Sequence, residues 1–350
     1  MGGRSVSRRR KQEDSRSLRG AREAIPAAAG GSRFSFHDLR PDPGSFLDEV
    51  LAGLTLPQKA LPPKYFYDEP GCALFEAICE LPEYYPTRTE TAMMHAHAQD
   101  MARRLGPDCA LIEYGSGSSR KTRILIDALA PVAYLPIDIA AEQLRVSAAG
   151  LARSFPGVAV VAVCADYSRR FDIPALNGID ARRRVIYFPG STIGNFTRPE
   201  AASFLENAQE VAGPGGGMLI GVDLKKDPAR LRAAYNDAQG VTARFNLNLL
   251  ARINRELGAN FDLAAFRHEA FYNAGPGRIE MHLVSEREQQ VSVRGRAIRF
   301  RSGETIHTEN SYKYSVPEFQ DLARAAGFAP AECWVDSERL FAIHYLVVAP

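Results

Sequence analysis

The sequence predicts an α/β chain organised around a mostly parallel sheet, with a long insertion ahead of its last strands. Three observations carry this expectation. Short apolar runs alternate with helical patterns from Cys109 onward, each run ends in Gly or Asp, and the rhythm stops after Asp223 to resume only near Ser315.

Taken in order, residues 1–35 read as a disordered tail. Up to residue 33 they are rich in Arg, Ser, Gly and Ala, with too few large apolar side chains to offset the entropy of ordering. Arg8, Arg9 and Arg10 resemble a twin-arginine signal, yet no apolar stretch follows, so export is not expected. Residues 36–89 precede the first sheet strand and are expected to pack with residues 228–314 as a second, smaller α+β domain. The sheet domain then comprises residues 90–227 and 315–350.

Within the sheet domain, "CALIEY" closes at Gly115, "VAYLPID" at Asp138, "VAVVAVCAD" at Asp166, "RVIYFPG" at Gly190 and "GMLIGVD" at Asp223. Ligands of open α/β sheets bind beyond the carboxyl ends of the strands, so these termini are expected to line one pocket. In the insertion, Leu231 to Leu257 reads as one helix, and Arg278 to Ser285 and Val291 to Arg301 as strands. The end of the chain reads as a helix from Ser315 to Gly327 followed by "AECWVD" and "LFAIHYLVVA" as an antiparallel pair.

Bulk properties exclude some classes. Lys and Arg number 43 against 41 Asp and Glu, a net charge of +2, so no dominant field draws nucleic acid or an anionic membrane. The 5 cysteines are scattered without zinc-ligand spacing, which points to free thiols in a reducing cytoplasm and to no metal. "LFAIHYLVVA" is too short to span a bilayer.

"EYGSGSSRKT" follows a strand and opens a helix, placing backbone N–H groups where an anion docks. A dinucleotide fingerprint wants a third glycine where Arg120 stands. Glu113 before the loop, Asp138 closing the next strand and Asp166 closing the third suit S-adenosylmethionine better, with Asp138 on the ribose hydroxyls, Asp166 on the adenine amine and Lys121 on the methionine carboxylate. Helix capping by the same aspartates, or a dinucleotide, stays open on this pattern alone.

Several stretches together resemble the S-adenosylmethionine-dependent L-histidine Nα-methyltransferases of ergothioneine biosynthesis: "LPPKYFYDEPGCALFEAICELPEYYPTRTE", "EYGSGSSRKT", "FPGSTIGNF", "AYNDAQGVTARFNLN", "RIEMHL" and "TENSYKYS". The resemblance implies a Rossmann-like class I methyltransferase sheet whose smaller partner domain binds substrate. It implies that Tyr84, Gly115, Lys121, Asp138, Asp166 and Tyr167 contact the methyl donor. Tyr84, Phe75, Asn195, Tyr235, Met281, Glu309 and Ser311 would hold the amino acid, with Glu309, Ser311 and Met281 at its imidazole. Asn195, Tyr67 and Gly190 would surround the reacting nitrogen. Tyr167 stands where relatives commonly carry Phe, and keeps a ring to stack on adenine.

Each of these residues also has an ordinary reading. The aromatics and Met281 fill cores, Glu309 sits on a solvated face, and Asn195 turns the chain beside Gly194. The expected activity is transfer of three methyl groups to the α-nitrogen of L-histidine, giving hercynine, by a cytoplasmic monomer. A methyltransferase for another aromatic amino acid such as tryptophan, or a non-catalytic S-adenosylmethionine sensor, are the alternatives.

Overall fold

The computed structural model describes residues 33–40, 44–117, 119–176 and 178–350. The expected tail lies outside these residues as far as position 32. Along the chain, β1 (Phe34–Asp38), α1 (Gly44–Leu54), β2 (Lys59–Ala60), α2 (Glu69–Cys79) and α3 (Tyr85–Leu105) come first. The alternating region follows as β3 (Cys109–Tyr114), α4 (Arg120–Leu129), β4 (Ala133–Asp138), α5 (Ala141–Ser154), β5 (Ala159–Cys164), β6 (Arg183–Phe188), α6 (Arg198–Ala212) and β7 (Gly217–Asp223). The insertion holds α7 (Pro228–Tyr235), α8 (Val241–Leu257), β8 (Phe266–Asn273), β9 (Arg278–Ser285), β10 (Gln289–Val293), β11 (Arg296–Phe300) and β12 (Thr305–Tyr312), before α9 (Val316–Ala325), β13 (Phe328–Val335) and β14 (Phe341–Val348).

The large sheet has 8 strands in the order β1-β5-β4-β3-β6-β7-β14-β13. Pairing is parallel from β1 through β7, and β14 runs antiparallel to both its neighbours. Strands β3 and β5 are buried along their whole length, and β4 as far as Ile137, which is why they read as nearly unbroken apolar runs. One face of this sheet packs α3, α4 and α5 through Met94, Met101, Leu125, Leu144 and Leu151; the other packs α6 and α9 through Phe204, Leu205 and Phe319. Both α6 and α9 begin with a capping box, Thr197 with Glu200 and Ser315 with Glu318. The strand order reverses between β3 and β6, and that switch point is where ligands of such sheets sit.

A second sheet of 4 strands, ordered β2-β12-β9-β8, shares a core with α1, α2, α7 and α8 through Phe66, Leu249, Leu250, Ile279, Leu283 and Ile306. No helix among the described residues is long and apolar enough to cross a membrane.

Three expectations change. Residues 34–38, divided above between the tail and the smaller domain, form a parallel edge strand against β5. There the half-buried Phe34 and Phe36 pack on the sheet core, and the Arg145 guanidinium lies 3.8 Å from the Phe36 ring centre. The single helix expected over 231–257 is two, because Asp237 starts a new one by accepting N–H bonds from Val241 and Thr242, each 2.8 Å. The strand expected over 291–301 folds back as the β10 and β11 hairpin, turning at Arg294 (φ 48°) and Gly295 (φ 79°).

Candidate active site

The segment after β6 determines the geometry. Gly190 (φ 79°) and Ser191 (φ 57°) take left-handed conformations, so the chain leaves the sheet abruptly. Ser191 is held there by its side-chain oxygen, which accepts the Asp223 N–H at 2.8 Å. Gly194 is required by contact with β12: a β-carbon would stand 2.8 Å from the Tyr312 carbonyl oxygen, and a strand backbone cannot give way. The short 3-10 turn Thr192–Asn195 therefore lies against the second sheet, and the Asn195 side chain enters the space between the two sheets.

That space is a cavity whose wall includes Tyr67, Phe75, Tyr84, Gly190, Asn195, Tyr235, Met281, Glu309 and Ser311. These are all the residues the sequence assigned to the acceptor and to the reacting nitrogen. Aromatic rings build much of the wall, with centroids 5.8 Å apart for Tyr67 and Phe75, 6.3 Å for Phe75 and Tyr84, and 6.3 Å for Tyr84 and Tyr235. Among the described residues, the Tyr67 and Tyr84 hydroxyls, the Asn195 amide and the Glu309 carboxylate make no hydrogen bond to the protein. Burial pushes the Glu309 carboxyl up to about 7, with Lys313 opposing the shift. Burial likewise raises the Tyr67 and Tyr84 hydroxyls well above the usual phenol range.

Sequence reasoning missed the ionic support beneath this wall. Lys313 is wholly buried, donating to Ser311 Oγ at 2.7 Å and to Tyr235 Oη at 3.2 Å, and pairing with Asp223 at 2.7 Å. Asp223 also holds Lys226 and accepts from the Tyr85 hydroxyl at 2.8 Å. Burial alone would neutralise Lys313, but Asp223 outweighs it and keeps the ammonium charged. The only sequence signals were Asp223 at a strand end and a lysine directly after the last residue of β12. Tyr235 and Ser311, both assigned above to the amino acid, share a hydrogen bond of 2.7 Å at this corner. Asp223→Asn leaves two buried ammonium groups without their counter-charge, and is expected to cost about 3 to 5 kcal/mol of stability in urea denaturation.

Of the residues assigned to the donor, Gly115, Asp138, Asp166 and Tyr167 close or follow β3, β4 and β5, Lys121 lies in the first turn of α4, and Tyr84 stands in the cavity wall. Gly115 (φ 71°) and Gly117 (φ 45°) turn the chain, Gly117 N–H donates to Asp138 at 3.0 Å, and a β-carbon on Gly117 would meet nothing within 4 Å. The Ser116 hydroxyl in that turn is buried without a partner. Asp138 also accepts the Ala140 N–H at 3.0 Å, which leaves lone pairs for further donors. Its burial raises the carboxyl despite these bonds. Asp166 is more occupied, accepting from Ser168 N–H at 3.0 Å and from Lys64 at 2.9 Å. The Tyr167 ring sits 5.8 Å from both Tyr114 and Phe188, with its hydroxyl 3.4 Å from where a Gly115 β-carbon would be. Open backbone at a glycine turn, an orphaned hydroxyl, a carboxylate with free lone pairs and a ring beside it fit a nucleoside with a charged amino-acid tail. Glu113, beneath the turn, is consumed by Thr122 at 2.8 Å and by Tyr134, and serves the fold.

Glu280, His282 and His307 form a separate group whose possible ligand atoms lie within 4.8 Å of one another. They occupy the sheet face opposite Met281 and Glu309. Glu280 already accepts from Arg278 and Asn273, and the two imidazoles stack with planes 10° apart, so their lone pairs do not converge on one point.

A nucleoside-type site and an aromatic cavity with polar tips, meeting at one switch point, define a methyltransferase that uses S-adenosylmethionine. The family model for histidine-specific, S-adenosylmethionine-dependent methyltransferases matches residues 46–348, and the chain belongs to that family. It is 42% identical to the histidine N-alpha-methyltransferase of Mycolicibacterium smegmatis, across 82% of this chain and 90% of that one. The Neurospora crassa ergothioneine biosynthesis protein 1 is 34% identical over 79% of this chain, which spans 32% of that longer protein. Identity is 29% to the 4-dimethylallyltryptophan N-methyltransferase of Aspergillus fumigatus, over 83% of this chain and 90% of that one. Among solved structures, the CcbJ methyltransferase from Streptomyces caelestis aligns at 16% identity and a TM-score of 0.42, over 73% of this chain and 90% of that one.

Proposed function

We propose that the chain methylates the α-amino nitrogen of L-histidine and repeats the transfer until three methyl groups are in place, giving hercynine. The observation that carries this reading is Glu309, a carboxylate without a protein partner at the wall of an aromatic cavity. An imidazole N–H answers it, whereas an apolar side chain would leave it desolvated and unpaired. The similarity to proteins named for histidine methylation supports the same choice.

Bound S-adenosylmethionine supplies an electrophilic methyl group on a sulfonium, open to in-line displacement. The residues then have distinct tasks. Gly115, Lys121, Asp138, Asp166, Tyr167 and Tyr84 hold the donor, with Asp138 facing its ribose and Lys121 its carboxylate. Tyr235, whose hydroxyl is backed by the Lys313 ammonium, and the Asn195 amide take the amino-acid carboxylate. Glu309, Ser311 and Met281 take the ring. Asn195 oxygen, the Gly190 carbonyl and Tyr67 surround the amine with uncharged acceptors. An ammonium has no lone pair, and a neutral surround does not stabilise it as an anion would. Orientation of this kind supplies roughly 7 to 11 kcal/mol of barrier lowering in favourable cases. Residues 44–89 with 228–314 serve as the acceptor half and the large sheet as the donor half of a cytoplasmic monomer that needs no metal.

The test is direct. The protein is incubated with S-adenosylmethionine and the twenty amino acids, and mass spectrometry follows the products. Gains of one, two and three methyl groups on histidine alone are expected. A methylated tryptophan would move the assignment to the aromatic alternative.

A further inference from the structure

Glu90 lies on α3 and belongs to none of the sites assigned above, yet it is 1% exposed and touches both halves of the reaction centre. Its two carboxylate oxygens accept the Gly190 N–H at 3.0 and 2.9 Å, and one of them pairs with the Lys121 ammonium. The fold makes room for it: at Gly221, on β7, a β-carbon would stand 2.2 Å from Glu90 Oε1. Three elements, α3, α4 and the turn after β6, therefore meet at one buried carboxylate. A lone buried ion pair is weak evidence for stability, because desolvation offsets its attraction, so the pairing calls for another reason.

We propose that Glu90 is a positioning residue that holds the donor-binding ammonium of Lys121 and the acceptor-binding Gly190 peptide in one register. This rests on the reading above, in which Lys121 meets the donor carboxylate and the Gly190 carbonyl meets the amine. An ammonium has three N–H donors, so Lys121 serves Glu90 and the donor together. Gly190 brings the two sites to one place, since a β-carbon there would lie 3.7 Å from Lys121 Nζ. By fixing the Gly190 N–H, the same carboxylate fixes the peptide plane that precedes the Gly190 carbonyl. Methyl and nitrogen thus approach at a separation determined partly by Glu90, and displacements of about 1 Å cost up to about 100-fold in rate.

Glu90→Gln keeps an oxygen for Gly190 N–H but turns its amide donors on Lys121. At saturating donor and histidine, kcat is expected to fall by about 10- to 100-fold, with the KM for histidine within about twofold. In a Lys121→Gln background, the same substitution is expected to cost no more than about twofold, because the residue acts through Lys121. A merely structural role would lower the melting temperature and add the same loss in both backgrounds. Should Glu90→Gln fold poorly, Glu90→Asp keeps the charge but withdraws the carboxylate by one methylene from Lys121 and the Gly190 N–H, and the same fall in kcat is expected. Unchanged kcat in Glu90→Gln, or additive losses, overturns the inference while leaving the donor site as assigned. Donor KM unaffected by Lys121→Gln overturns the Lys121 assignment and the inference with it.

Discussion

Replacing Asn195 by Asp is expected to leave the dissociation constant for S-adenosylmethionine within about twofold while lowering kcat for histidine by about 100-fold or more. The substitution is nearly isosteric, so the 3-10 turn and its contact with β12 persist. In the proposed binding mode it removes the amide N–H₂ offered to the substrate carboxylate and sets an anion beside the nitrogen that must be neutral to react. Both effects act on the acceptor alone, because the donor residues Gly115, Asp138, Asp166 and Tyr167 belong to the other strand ends. Single-turnover rates with both ligands bound, beside calorimetry for the donor, separate the two sites. Normal turnover would return Asn195 to being a turn residue next to Gly194.

The alternating half of the fold was legible because its strands are buried on both faces, so that apolar runs such as Ala159–Cys164 leave no other reading. The insertion was harder for a physical reason. Strand β12, "TIHTENSY", alternates a core face with a face of polar groups, and two of its residues, Glu309 and Ser311, are polar because they line a cavity. A site strand thus looks least like a strand where it carries function. The break at Asp237 was hidden because a helix start from an aspartate cap is compatible with continuous apolar periodicity on both sides. Glu90 was invisible for the same kind of reason. Its neighbours in sequence, "TRTETA", are polar or small and give no inward-facing signal, and only packing shows that the carboxylate turns inward between α4 and β7.

Electrostatics tie the two halves together in a way composition does not reveal. The chain carries nearly balanced charge overall, yet two of its lysines stand at the reaction centre, each matched to a buried acid: Lys121 to Glu90 and Lys313 to Asp223. Glu309, in the cavity wall, has no such partner among the described residues, and Lys313 acts on it from a distance. Other buried acids without a cation are held by hydrogen bonds, Glu113 by Thr122 and Tyr134 and Asp237 by the Val241 and Thr242 N–H groups, whereas Glu309 has none among the described residues, which is the arrangement the proposed ring contact requires.

Glu309→Ala is therefore expected to weaken histidine binding by about 10- to 100-fold, the worth of a hydrogen bond to a charged group, with donor binding unchanged. The pH dependence gives the assignment a second, independent check. Burial raises the Glu309 carboxyl to about 7, so the group is neutral below that pH and anionic above it. A ring N–H donating to the carboxylate needs the anion, and histidine affinity should rise between about pH 6 and about pH 8. The substrate imidazole itself titrates near about 6.5, in every variant alike. The contribution of Glu309 is the difference between the wild-type profile and that of Glu309→Gln, in which only the imidazole titrates. Calorimetric titrations of histidine with S-adenosylhomocysteine bound measure both profiles without turnover. Parallel profiles, or equal loss of donor and histidine affinity in Glu309→Ala, would leave Glu309 without a role in reading the ring. A steeper wild-type profile converging with the variant at low pH is the result the open carboxylate predicts, because there both side chains are neutral and the mutation removes no charge.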